Sequence, residues 1–248
     1  LEAPRNPLAP AFFSCLTIDR KTPAPGWTAV PFVSGRSLVV RKNRKVLQTD
    51  MTITHTRLIL ASASPRRREL LGLAGLAFDI VVSPVEEPAP DTGEHPAAYA
   101  ARMARLKAAA VAGQQPDAVV LGADSVVAVG ETILGKPKDA ADALRMLTLL
   151  SGRTHQVVTG CAIFAPGREP EIFTVSTDVT MLELSPARQA AYVATGEPMD
   201  KAGAYAIQGG AAPFVTTIFG SYTNVVGLPL AEVVAVLKNY EIIVPTTS

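Results

Sequence analysis

The sequence predicts an α/β protein: a mixed, twisted sheet with flanking helices. Two observations carry that prediction. Short apolar runs rich in β-branched residues alternate with segments of helical spacing along the chain beyond Met51. The pairs Ser64-Pro65 and Ser185-Pro186 each follow such a run, where an N-cap and a first helical residue belong. No internal repeat is visible, and 248 residues at 48% hydrophobic content suit one or two compact domains.

Taken in order, Leu58-Ile59-Leu60 is the first strand, and a helix capped by Ser64 follows it. "AFDIVVSPVEE" reads as a second apolar strand ending in Glu86 and Glu87, before a proline-rich turn. Over 96–113, Tyr99, Met103, Leu106 and Ala110 recur at helical spacing. "DAVVLGADSVVAV" reads as a strand in two halves broken at "GAD". A helix over 139–150 ends near Gly152, and "HQVVTGCAIFA" returns as a strand. "EIFTVSTDVTMLEL" alternates polar positions and belongs to an outer part of the sheet. The Ser185 helix runs to about Thr195, "FVTTIFGSYTNVV" suggests a hairpin over Gly220-Ser221, and "PLAEVVAVLKNY" makes the last helix.

Residues 1–50 differ from the rest. Prolines at 4, 7, 10, 23, 25 and 31, the cluster "RKNRK" and the lack of any sustained period read as a disordered leader. The first methionine is Met51, so the expected natural start is there, with the leader a start placed too early; a transit peptide is the second reading. This stretch holds eight Lys/Arg against three Asp/Glu. That leaves 15 basic and 19 acidic residues for 51–248. A net negative body argues against a nucleic-acid polymer as partner, since such binding releases counterions from many neutralised phosphates. A small phosphate-bearing ligand held by a few focused cations stays compatible. Cys15 and Cys161 give neither a disulfide framework nor a zinc spacing, which makes a reducing cytoplasm the expected setting. No apolar run approaches the length of a membrane span, so no membrane partner is expected.

"SPRRREL" breaks a local rule. Arg66, Arg67 and Arg68 fall in the opening turns of a helix, where positive charge opposes the macrodipole at about 0.3–1 kcal/mol per exposed charge. Two readings stand: a solvated basic face offset by Glu69, or a multiply charged anion such as a triphosphate bound where free backbone N–H groups already point. "GETILGKP" resembles a phosphate loop until Pro137, which offers no hydroxyl and no N–H where the nucleotide-cradling helix would begin. Lys136 can still reach phosphate by another geometry. His55, His95 and His155 are isolated and read as surface or loop residues rather than ligands.

The remaining chemistry is dispersed over Arg66, Arg67, Lys107 and Lys136 and over Glu86, Glu87, Asp124 and Asp200. Asp124 stands out because it interrupts an apolar strand, where a carboxylate is costly unless paired, hydrogen-bonded or metal-bound. It is either a satisfied strand-end residue or, with a carboxylate of the Glu86-Glu87 pair, part of a site holding one hard cation and orienting a water.

Together, "LILASASPRRREL", "VEE", "LGADSVV", "LGKP", "LSGRTHQVVTG", "EPMDKAGAYAIQG" and "YTNVVGLPL" resemble the Maf family of nucleoside triphosphate pyrophosphatases over about residues 57–238. The resemblance implies a two-lobed fold with a central cleft, related to the inosine triphosphate pyrophosphatases, within 51–248. It also implies a homodimer, a divalent Mg²⁺ or Mn²⁺ ion, and cleavage between the α and β phosphates. By motif, Asp124 matches the family's proton acceptor, and Arg66, Ser125 and Gln208 match positions tied to substrate choice. Ser64, Arg67, Glu87, Lys107, Lys136 and Lys201 match positions lining the phosphate and metal part of the cleft, with Glu87 and Asp124 as metal ligands. "DKAGAYAIQG" resembles the subgroup acting on dTTP and UTP, and a Gln side chain carries both a donor and an acceptor for the O4/N3–H edge of thymine or uracil. Ser125 replaces the more usual Thr, and Arg68 is expected to be peripheral. A purine or methylated nucleotide as substrate, or a division regulator that binds nucleotide without turnover, remain as alternatives.

Overall fold

The computed structural model describes residues 27–31, 37–41, 56–240 and 242. Trp27–Pro31 (β1) pairs antiparallel with Ser37–Arg41 (β2). The rest of the expected leader, the expected start at Met51, Cys15 and His55 lie outside the described residues.

Leu58–Leu60 (β3), Asp79–Ile80 (β4), Val119–Val129 (β5), Thr132–Leu134 (β6), Thr154–Phe164 (β7), Glu171–Met181 (β8) and Val215–Phe219 (β9) form the mixed sheet the sequence predicts. Its order is β4-β3-β5-β7-β8-β9, with β6 also on β5. β3 runs parallel to β4 and to β5, and the other pairings are antiparallel. The helices are Pro65–Leu73 (α1), Pro96–Ala112 (α2), Ala140–Leu150 (α3), Pro186–Ala194 (α4), Tyr222–Val226 (α5) and Leu230–Leu237 (α6). Among the described residues no helix is long and apolar enough to cross a membrane.

α2 covers one face unusually closely. Ala100, Ala104 and Ala108 recur every fourth residue on its buried side, and the strands beneath present Gly122 and Gly160. A Cβ on Gly160 would lie 2.3 Å from the Ala100 carbonyl, and one on Gly122 would lie 2.6 Å from the Ala104 carbonyl. Helix backbone therefore rests directly on strand backbone. This replaces the expected Tyr99-Met103-Leu106-Ala110 face: Tyr99 and Met103 are buried, but Leu106 is 39% exposed because the small residues must face the glycines.

The other face carries two apolar clusters. Leu58, Leu71, Leu121, Ile163 and Leu237 join α1 and α6 to the sheet, while Val127, Met146, Leu150, Val157 and Tyr192 join α3 and α4. Burying one such leucine contributes about 1.5–3 kcal/mol of transfer free energy. Alternation along β5 shows where the clusters part: Val119, Leu121 and Ala123 belong to the first, Val127 to the second, and Ser125 stands between them.

Four local expectations change. Only Asp79–Ile80 of "AFDIVVSPVEE" is strand, since Pro84, Pro88 and Pro90 supply no ladder donors and 81–95 leaves the sheet. β5 is continuous through "GAD"; what changes there is its partner. "SYTNVV" is helix α5 rather than the second arm of a hairpin: Ser221 Oγ accepts the Asn224 amide at 3.2 Å and caps it, while buried Asn224 donates its side chain to Val157 O and Thr177 Oγ1. His155 lies on β7 and is buried, because Tyr205 partners it. His95 is exposed and N-caps α2.

Candidate active site

β5 has a gap along one edge. β7 pairs with the other edge from Val120 to Ala128, but β3 reaches only Leu121, and β6 begins opposite Val127. A cleft of about 460 Å³ opens at this gap, walled by the turn after β3, the loop over 82–87, residues 200–208 and Gly227. It lies at the carboxyl end of a parallel strand pair, the usual ligand position in open α/β sheets.

Asp124 and Ser125 sit on the uncovered stretch and point to opposite faces. Asp124, 7% exposed, meets α2: Lys107 Nζ stands 2.6 Å from its Oδ1 and 2.6 Å from Glu87 Oε1. One ammonium thus bridges the two carboxylates. Glu86 does not line the cleft. Burial pushes the Glu87 carboxyl up, but its hydrogen bond and charge interaction with Lys107, joined by Lys136 and Arg67, outweigh this and hold it below the ordinary range.

Ser125 faces α1. Ser64 N-caps that helix, its Oγ accepting the Arg67 amide at 3.5 Å, and Ser62 Oγ accepts the Ser64 amide at 3.2 Å. The Arg67 guanidinium reaches inward, donating to Gly227 O at 2.9 Å, Ser125 Oγ at 3.1 Å and Ser62 Oγ at 3.3 Å. All three acceptors are neutral. Burial lowers the Arg67 pKa, and the charge of Asp124 acts the other way. Behind Ser125, the buried Thr159 hydroxyl lies 2.8 Å away and donates on to Asn224 O at 3.4 Å.

Arg66, Lys136, Lys201, Asp200 and Gln208 also line the cleft. Arg66 Nη1 is 3.6 Å from Asp200 Oδ2, and Lys201 pairs with the same carboxylate. Gln208 is exposed and makes no side-chain hydrogen bond among the described residues. Arg68 is exposed and outside the lining. The structure thus brings Ser64, Arg66, Arg67, Glu87, Lys107, Asp124, Ser125, Lys136, Lys201 and Gln208 around one cleft, and leaves Glu86 and Arg68 out.

Three residues not singled out as individuals complete the arrangement: Thr159, Asn224 and Gly227. Their signal lay in the motifs "HQVVTG" and "YTNVVG", but nothing in either motif tells which atoms it contributes. The floor at the other end is Tyr205, whose hydroxyl lies 2.8 Å from His155 Nε2. Burial pushes the His155 pKa down to about 4, against a weaker pull from Asp178, and its Nδ1 is buried without a partner.

Among the described residues no three or more His, Cys, Asp or Glu side chains converge as a metal cage. Two hard carboxylates, Asp124 and Glu87, do converge. That donor set fits Mg²⁺, which commonly takes one or two carboxylates and completes its shell with water and substrate phosphate.

Residues 57–240 match the family model described as Maf-like protein. The dTTP/UTP pyrophosphatase of Geobacter sulfurreducens is 54% identical over 186 residues, covering 73% of this chain and 95% of its own. The dTTP/UTP pyrophosphatase of Myxococcus xanthus is 50% identical over 188 residues, covering 76% and 94%. Among solved structures, a HAM1 protein from Coxiella burnetii aligns with 74% of this chain and 99% of its own, at 16% identity and a TM-score of 0.42.

Proposed function

The chain belongs to the Maf-like protein family, and from that premise we propose that it hydrolyses dTTP and UTP to the monophosphate and pyrophosphate. The observation that carries the reading is the gap in β5: an aspartate on an uncovered strand edge, inside a cleft ringed by Arg66, Arg67, Lys107, Lys136 and Lys201. Relatives at about half identity over nearly their whole length bear that activity in their names.

In this reading Asp124 accepts a proton from water as its oxygen attacks at the α–β anhydride. The phosphorus–oxygen bond breaks, and the electron pair leaves on pyrophosphate. The cleft cations hold the triphosphate and meet the charge developing on the leaving group. Arg67 is pre-placed for this, because Gly227, Ser125 and Ser62 fix its planar fork without neutralising it. A divalent ion held by Asp124 and Glu87, with phosphate oxygens completing its shell, would further neutralise the triphosphate, and Lys107 would yield its bridging position. Gln208 reads the O4/N3–H edge of the base. A cytoplasmic setting and a homodimer belong to the same proposal.

The test is a panel of canonical and modified triphosphates given to the full chain with and without Mg²⁺ or Mn²⁺, with products identified. Pyrophosphate from dTTP and UTP is expected. Release of single phosphate would refute the bond, and a purine preference would refute the base.

A further inference from the structure

The residues around Gln208 form a loop with little regular structure of its own. Gly209 N–H bonds back to Ala206 O at 3.1 Å, Ala212 N–H bonds to Gly209 O at 3.0 Å, and the Gln208 side chain makes no hydrogen bond among the described residues. A reading group on such a loop discriminates only if something outside the loop holds its backbone still.

Two side chains from one neighbouring segment do so. Tyr192 Oη on α4 accepts the Ala206 amide at 3.1 Å, ahead of Gln208. Glu197 Oε2, just past α4, accepts the Gly210 amide at 2.8 Å, behind it. The Glu197 carboxylate also occupies the place of a missing side chain: a Cβ on Gly209 would lie 1.8 Å from its Oε1. Glu197 is itself anchored, its amide donating to Thr195 Oγ1 at 3.2 Å and its carbonyl accepting Lys201 Nζ at 3.4 Å. Tyr192 and Glu197 share their electrostatics, since the nearby carboxylate adds to the burial that pushes the Tyr192 phenol up.

The geometry points to Glu197 as a positioning residue for base selection: with Tyr192 it clamps residues 206–210 from behind and so sets where the Gln208 amide stands. Glu197 lies outside the cleft lining. It acts through Gln208, and the inference rests on the dTTP/UTP reading of the cleft. Gly209 follows from the same contact, because only a residue without Cβ leaves room for the carboxylate.

The test compares kcat and KM for dTTP and dCTP in the full chain. Glu197→Ala should cut the preference for dTTP about tenfold, the effect of losing one positioned hydrogen bond. The change should fall on KM, with kcat held within about twofold. Glu197→Gln should restore most of the preference, since its amide oxygen still accepts the Gly210 N–H. Gly209→Ala displaces only the end of a flexible side chain. It should mimic the loss in the wild-type background and add nothing to Glu197→Ala, and it stands alone as the test if Glu197→Ala does not fold. An unchanged preference, or an equal fall in kcat for both nucleotides, overturns the clamp. If the wild-type chain does not discriminate thymine from cytosine, the reading of the O4/N3–H edge by Gln208 is what fails. Amide exchange at Gly210 then judges the clamp: faster exchange in Glu197→Ala sustains it, and unchanged exchange overturns it.

Discussion

The two ends of the cleft are built differently. At the proposed phosphate end the candidate groups stand on regular elements: Asp124 on β5, Lys107 on α2 and Arg67 on α1. At the proposed base end Gln208 rides on turns, after a stretch in which Gly203 and Ala204 both take positive φ, 67° and 58°. Gly203 also has no room for a side chain, since a Cβ there would lie 2.8 Å from the Val127 side chain. Chemistry demands groups fixed to a fraction of an ångström, which strands and helices supply. Recognition of different bases on a shared chemistry is more readily varied in turns, provided that second residues pin them.

The largest effect should come from the phosphate end. Asp124→Asn keeps the shape of the side chain but removes the proton acceptor, and kcat should fall by about 10²–10⁴ with nucleotide binding retained. Single-turnover hydrolysis alongside binding of a non-hydrolysable triphosphate measures both; activity within tenfold of wild type would remove Asp124 from that role. Arg67→Ala comes next. Losing a guanidinium that makes charge-assisted hydrogen bonds should lower kcat/KM by about 10–100-fold, and Arg67→Lys should recover little of it because a single ammonium cannot replace the fork.

The contrast also explains what was legible in the sequence. Asp124 could be found because it violates the apolar pattern of a strand, and Arg66 and Arg67 because they violate the charge rule of a helix start. The strand and helix sequence was readable for the same reason: burial imposes a period. The gap in β5 was not readable. "GAD" suggested a broken strand, whereas the strand is whole and its neighbours stop on either side, a property of β3 and β6 rather than of the motif. Likewise the spacing of α2 predicts a buried Leu106, and the glycines that demand alanines instead lie 18 and 60 residues further along the chain, at Gly122 and Gly160, counted from Ala104 and Ala100 respectively. Thr159 and Asn224 act through hydrogen bonds to distant residues, and single-chain spacing carries no record of such partners.

At the base end the buried His155 predicts a pH effect on stability. Its pKa is about 6.5 when unfolded and about 4 when buried, so on acidification the unfolded chain takes up the proton first. The stability this contributes is complete above about pH 6.5 and is lost as pH falls through about 4, a span worth up to about 3 kcal/mol. His155→Gln can keep a hydrogen bond to Tyr205 without titrating. Denaturant unfolding between pH 4 and 7 should show a shallower slope in that variant, and parallel slopes would mean that His155 is not held neutral.

Arg68 gives the smallest effect and the sharpest control on the phosphate end. It shares a helix turn and a charge with Arg67, so any purely electrostatic account of the cleft treats them alike. Their surroundings differ: Arg67 turns inward to Gly227, Ser125 and Ser62, while Arg68 is exposed and outside the lining. Arg68→Ala should leave kcat/KM within about twofold, because screening at physiological salt damps a charge that faces water. It should also raise stability by a few tenths of a kcal/mol, since alanine favours the helix and no longer opposes its dipole. Equal losses from Arg67→Ala and Arg68→Ala would mean that the helix contributes bulk positive charge rather than one placed guanidinium.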